Sequence, residues 1–183
     1  MNLRYFTSFP AIRPIVVLIA LLSLSNLSLA QNPSDFTLPS VTDDSEFTLS
    51  EAKGKFVALH FLLKTECPYC MKHTQDYFEK AATLPDVVQV FIKPDTEAEI
   101  KEWADKLAID DPLQYPIYQD AGAKLASQYA IPGGYLFHGQ IVHYPALVLL
   151  DKDGKEVFRY VGKNNSDRYS FEDLAAKVKK LSK

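Results

Sequence analysis

The stretch Phe56-Val57-Ala58-Leu59-His60-Phe61-Leu62-Leu63-Lys64-Thr65-Glu66-Cys67-Pro68-Tyr69-Cys70 decides how this chain reads. Residues 56–63 are apolar except for His60. Such a run predicts a strand buried on both faces, as in the middle of a parallel sheet. Residues 68–82 then predict a helix that opens at Pro68, where a missing N–H costs nothing, and stops before Pro85. The cysteines sit where strand gives way to helix. A sulfur at a helix start has unpaired backbone N–H groups and the positive end of the dipole beside it, and both favour the thiolate. A second thiol one turn on can cleave a mixed disulfide formed by the first.

Cys67 and Cys70 are the only cysteines of the chain. A structural disulfide closing so short a loop removes little chain entropy. Half of a zinc site would need two further ligands, and no second cysteine pair supplies them. Haem attachment requires His after the second cysteine, where Met71 stands. A redox-active dithiol is the reading that uses both residues and their spacing.

The N-terminus has the pattern of an export signal. Arg4 and Arg13 supply positive charge, residues 15–24 are apolar but for Ser23, and Ser28-Leu29-Ala30 offers small residues for a peptidase. Cleavage is expected after Ala30. Residues 1–30 then form the signal peptide, and residues 31–183 a mature domain of 153 residues, enough for one full core. The alternative is an uncleaved anchor, the one route by which membrane contact is expected; no cysteine at the cleavage site suggests a lipoprotein. The chain carries a formal charge of −3, becoming −5 once Arg4 and Arg13 leave, and has no basic cluster. That balance argues against nucleic acid as a partner. Export implies a periplasmic or secreted location, an oxidising space in which a dithiol needs either work as an oxidant or a source of electrons.

Beyond the cysteines the pattern alternates. Short strands are expected at 36–38 and 46–49, buried strands at 87–92 and 146–150, and a short strand at 115–118. Helices are expected at 96–107, 121–129 and from Ser170 to about Leu181, where Ser170 and the acids Glu172 and Asp173 mark a helix start. Asp153-Gly154 signals a hairpin into a strand at 155–161. Residues 131–140, with Gly133, Gly134 and Gly139, read as a loop. This order implies an α/β fold with a central mixed β-sheet flanked by helices.

These residues resemble the thioredoxin fold, and more closely the exported thiol-disulfide oxidoreductases of the redoxin and TlpA/ResA-like group, over most of residues 36–181. Three features carry the resemblance: the Cys-Pro-Tyr-Cys motif after a buried strand, the proline-led strand His143-Tyr144-Pro145-Ala146-Leu147-Val148-Leu149-Leu150-Asp151, and the hairpin Lys152-Asp153-Gly154-Lys155-Glu156-Val157. Residues 95–129 are similar to the helix-strand insertion of redoxins. The resemblance implies exchange of electrons with protein thiols or disulfides and with a redox partner protein, with no organic cofactor and no metal. Cys67 would attack and Cys70 resolve. It further implies a cis bond at Tyr144-Pro145, exposing the Tyr144 backbone to an extended substrate segment.

The chain also departs from the pattern. The buried acid or amide often found beneath the dithiol is absent; His60 is the nearest polar candidate, either a proton-transfer group or a core histidine with a satisfied hydrogen bond. Glu66 stands where an aromatic residue is usual, with Lys64 nearby to offset its charge. A glutathione site lacks its polar run after Pro145. A peroxiredoxin-like thiol peroxidase would want an arginine beside the proline-led strand. There Arg159 lies further on, in the hairpin, and Arg168 beyond it. A copper metallochaperone would use Cys67, Cys70 and a histidine such as His73, His138 or His143, but with a wider cysteine spacing. Tyr69, Tyr135, Phe137 and Tyr144 form a possible aromatic rim. Asn164-Asn165-Ser166 fits a glycosylation acceptor, meaningful only in a eukaryotic secretory route.

Overall fold

The computed structural model describes residues 35–64, 67–107 and 116–183. The expected signal peptide and its cleavage site, Glu66, and part of the insertion lie outside these residues. Among the described residues no helix is long and apolar enough to cross a membrane.

The centre is a five-stranded mixed sheet. Its strands are β3 (Phe56–Phe61), β4 (Val87–Lys93), β5 (Ile117–Gln119), β8 (Ala146–Leu150) and β9 (Glu156–Val161), in the order β5-β4-β3-β8-β9. β3 and β4 pair in parallel, as do β4 and β5, whereas β8 runs antiparallel to β3 and β9 antiparallel to β8. Every residue of β3 is buried, as its unbroken apolar run requires.

The sheet separates two cores. On one face α1 (Pro68–Lys80), α2 (Glu97–Ala104) and α4 (Phe171–Leu181) pack Tyr77, Trp103, Ile100, Leu174 and Val178 against Ala58 and Phe91. On the other, α3 (Lys124–Gln128) and the small antiparallel pair β1 (Thr37–Pro39) and β2 (Glu46–Thr48) cover Val57, Leu59, Phe61, Val90 and Val148. Period-two alternation along β3 and β4 sends neighbours to opposite cores. It places His60 and Gln89 on the α1 face.

The caps follow the sequence signals. α2 opens on a full capping box between Thr96 and Glu99, and α4 opens on Ser170, whose hydroxyl accepts from the Asp173 N–H. One element differs from the sequence reading. Residues 131–140, read as a loop, contain most of a hairpin made by β6 (Tyr135–Phe137) and β7 (Gln140–Val142). Gly139, at φ 77°, and His138, at φ 47°, make its tight turn. Alternating Tyr135, Leu136 and Phe137 was a strand signal hidden between glycines. Phe137 points into the core that holds the cysteines, while Leu136 and Ile141 pair across the outer face at 65% and 70% exposure.

Candidate active site

β3 ends and α1 begins at the cysteines. Cys67 is the N-cap of α1, with extended backbone, and Pro68 opens the helix. The Cys67 sulfur takes the place usually held by a Ser or Asp oxygen: it accepts from the backbone N–H of Cys70 at 3.1 Å. Cys70 Sγ accepts from the backbone N–H of Leu63 at 3.4 Å. Both thiols are free, and both are buried, Cys67 to 1% exposure and Cys70 to 0%. Tyr69 between them is 46% exposed.

The two sulfurs are electrostatically unequal. The Cys70 thiol donates toward Cys67 and holds the Cys67 pKa down, to about 6; the Arg168 and Lys93 charges and the Cys70 N–H add to this against the opposing effect of burial. Cys70 goes the other way. Burial, and its role as donor to the Cys67 sulfur, raise its pKa well above that of a free thiol. One cysteine is therefore held as thiolate near neutrality and its neighbour as thiol.

Arg168 is the residue that sequence reasoning set aside. It lies beyond β9, yet its Nη2 donates to Cys70 Sγ at 3.1 Å and to Cys67 Sγ at 3.4 Å. Loop 162–170 aims it. Asn164 Oδ1 accepts from the N–H groups of Ser166 and Asp167 and from the Ser166 hydroxyl. Asp167 accepts from Lys163 N–H and from the Tyr160 hydroxyl. Arg168 Nε donates to Asn165 O, and Tyr77 Oη to Tyr169 O. The sequence signal was present as a dense Asn-Asn-Ser-Asp turn before a helix cap. Those side chains serve the turn.

Gly162 starts this loop because nothing larger fits. A Cβ there would meet Asp167 O at 2.1 Å and Pro145 Cγ at 3.0 Å. Its N–H donates to Pro145 O at 2.8 Å, so the Arg168 loop is seated on the proline-led strand.

The Tyr144–Pro145 bond was expected to be cis, but no described peptide bond is cis. Trans is the intrinsically favoured state of an X–Pro bond by about 0.5–1 kcal/mol. The Tyr144 backbone is also occupied: its N–H donates to Pro132 O at 2.8 Å and its carbonyl accepts from His143 Nδ1 at 2.7 Å.

His60 is buried beneath α1 with both ring nitrogens engaged. Nε2 bonds Gln89 Oε1 at 2.8 Å and Nδ1 bonds His73 Nε2 at 3.0 Å. With Gln89 Oε1 as acceptor, His60 Nε2 carries its proton and His73 donates to Nδ1. Burial pushes the His60 pKa down to about 4 and lowers that of His73 well below the usual range. Among the described residues, the N–H groups within reach of Cys70 Sγ belong to Leu63 and Arg168, not to His60.

The other candidates separate. His73 pairs with His60 rather than with the cysteines. Among the described residues no group of three or more His, Cys, Asp or Glu side chains is placed to hold a metal ion. The aromatic rim divides too: Phe137 is core, Tyr135 lies between Phe137 and Tyr144, and Tyr69 faces solvent.

Lys93 is wholly buried at the end of β4. Its Nζ donates to Leu63 O at 2.6 Å, lies 3.3 Å from Asp95 Oδ2, and sits 4.5 Å from the Trp103 ring centre. It fixes the residue whose N–H meets Cys70.

This fold has counterparts among known proteins. The redoxin family model matches residues 30–178, and the chain belongs to the redoxin family. It is similar to the exposed lipoprotein thioredoxin Etrx1 of Streptococcus pneumoniae, at 26% identity over 81% of this chain and 100% of that one, with TM-score 0.64. The fold is shared with Enterococcus faecalis AhpC (18% identity; 83% and 90% of the chains; TM-score 0.69). It is shared also with a secreted Mycobacterium tuberculosis disulfide oxidoreductase homologous to E. coli DsbE (20%; 80% and 96%; 0.58). No curated protein sequence matched. The family and the cysteine pair together define a thioredoxin-like redox protein.

Proposed function

We propose that this protein is a thiol-disulfide oxidoreductase in which Cys67 is the nucleophile and Cys70 the resolving thiol. The observation that carries the reading is the Cys67 sulfur at the N-cap of α1, held ionised near neutrality beside a thiol that stays protonated. The Cys67 thiolate attacks a substrate disulfide, forming a mixed disulfide and releasing one substrate thiolate. Cys70 then loses its proton and attacks Cys67 Sγ, which frees the second substrate sulfur and leaves a Cys67–Cys70 disulfide. The reverse sequence oxidises a substrate dithiol. Tyr144 and Pro145 are the proposed substrate-positioning segment, and the internal bonds of Tyr144 must be exchanged when substrate binds. His60 serves as a core group that orders α1 through its bond to His73.

The substrates are protein thiols or disulfides, served by a separate redox partner protein. Residues 1–30 are proposed as an export signal and 31–183 as the mature domain, periplasmic or secreted. The exposed and secreted nature of two structurally similar proteins supports that location. A Cys70→Ser variant of the mature protein is expected to accumulate covalent mixed disulfides that dithiothreitol releases. Cys67→Ser is expected to form none, and equal trapping by both variants refutes the assignment.

Arg168 favours a second reading, thiol peroxidase, since it supplies the arginine that the sequence reading found missing. The Cys67 thiolate would attack a hydroperoxide, releasing alcohol and leaving a sulfenic acid. Cys70 would condense with it to the disulfide and water. Consumption of hydrogen peroxide coupled to dithiothreitol oxidation tests this directly.

A further inference from the structure

Arg168 presents one nitrogen to two sulfurs, and the strength of that contact depends on their oxidation state. In the reduced pair it is charge-assisted, because Cys67 carries a negative charge. In a disulfide both sulfurs are neutral and accept hydrogen bonds weakly. The guanidinium then faces a buried site without an anion. Loop 162–170 that carries it reaches the rest of the domain through polar bonds from Gly162 to Pro145, Asp167 to Tyr160, Asn165 to the Tyr135 hydroxyl of β6, and Tyr169 to Tyr77. Arg168 is the tie between this loop and the dithiol.

We infer that Arg168 is a redox-selective clamp that binds the reduced pair more tightly than the disulfide, raising the reduction potential of the pair and coupling the loop to its redox state. This rests on the proposed dithiol chemistry. The half-reaction takes two electrons and one proton into the Cys67–Cys70 disulfide, leaving the Cys67 thiolate and the Cys70 thiol. The electrons come from a partner dithiol, which becomes a disulfide and releases two protons. By linkage, whatever binds one redox state better than the other shifts the equilibrium toward that state. Oxidation releases the loop, so the disulfide form is the open one.

The test is equilibration of the folded protein with glutathione buffers of graded potential, using the native chain, Arg168→Met and Arg168→Lys. Arg168→Met is expected to shift the equilibrium about tenfold toward the disulfide, a fall of about 30 mV. Arg168→Lys is expected to recover part of it. An Arg168→Met protein that forms its disulfide normally but has an unchanged potential overturns the clamp and leaves the dithiol chemistry standing. A native protein that forms no Cys67–Cys70 disulfide overturns both. Should Arg168→Met fail to fold, the native chain decides alone. Amide hydrogen exchange at Lys163, Asn165 and Asp167 is expected to be faster in the oxidised than in the reduced form, and equal rates refute the clamp.

Discussion

Arg168 and Cys70 meet at 3.1 Å although 98 residues separate them in the chain. The contact is built by β9 running antiparallel to β8, by Gly162 seating the loop on Pro145, and by Tyr77 of α1 holding Tyr169. Three elements thus cooperate to bring one cation onto the dithiol.

The unequal ionisation of the pair has a direct readout. The rate of Cys67 alkylation by iodoacetamide in the reduced protein is expected to titrate with a midpoint near 6. Cys70→Ala removes the main source of that depression, the thiol donor, and is expected to move the midpoint upward. A midpoint near 8.5, the value of a free thiol, contradicts the site as described.

The same shift makes a stability prediction. Between pH 6 and about 8.5 the unfolded reduced chain holds a proton on Cys67 that the folded thiolate has given up, so folding stability rises with pH across this window, until retention of the Cys70 proton opposes it. The contribution is complete above the unfolded pKa and disappears as pH falls through about 6. The disulfide form has no such proton. The difference in urea midpoint between reduced and oxidised protein is therefore expected to move in favour of the reduced form as pH rises from 6 to about 8.

Acid acts through the histidines. His60 is held neutral by burial, down to about pH 4, whereas in the unfolded chain it takes a proton near 6.5. Stability is expected to be lost as pH falls from about 6.5 to 4, with His73 adding in the same direction. His60→Leu leaves the Gln89 oxygen and the His73 nitrogen without their partner, at a cost of about 1–3 kcal/mol near neutrality. It should also flatten that acid slope. Thermal melts at pH 7.5 and 5 measure both effects.

Gly162→Ala forces the backbone apart at Asp167. The expected loss is about 1–3 kcal/mol, as for other overpacked sites, with an upward shift of the Cys67 alkylation midpoint as Arg168 is displaced. A stable variant with an unchanged midpoint shows that the loop tolerates the Cβ without moving its arginine.

Lys93→Met removes the ammonium 3.3 Å from the buried Asp95 carboxylate and the donor to Leu63 O. Destabilisation of up to about 3–5 kcal/mol is expected, the usual range for breaking a buried ion pair from one side. Lys93→Met combined with Asp95→Leu should recover much of it, as judged by urea unfolding.

Local chemistry settled much of this protein in the sequence alone. An apolar run with no room for solvent reads as a central strand, Pro68 after Cys67 marks a helix start, and Asp153-Gly154 makes the hairpin that precedes β9. The proposed nucleophile follows from the same local rules, because helix N-terminal N–H groups lie within one turn of the cysteine. Contacts across the sheet were not legible. Nothing near Arg168 in the chain announces a sulfur, nothing near His73 announces His60, and Lys93 reads as a strand terminus. Even the β6–β7 hairpin was masked by its glycines. Hydrophobic periodicity specifies which face of an element is buried but not which distant polar group is buried with it. That pairing depends on register and on where loops cross, and only the assembled sheet defines these.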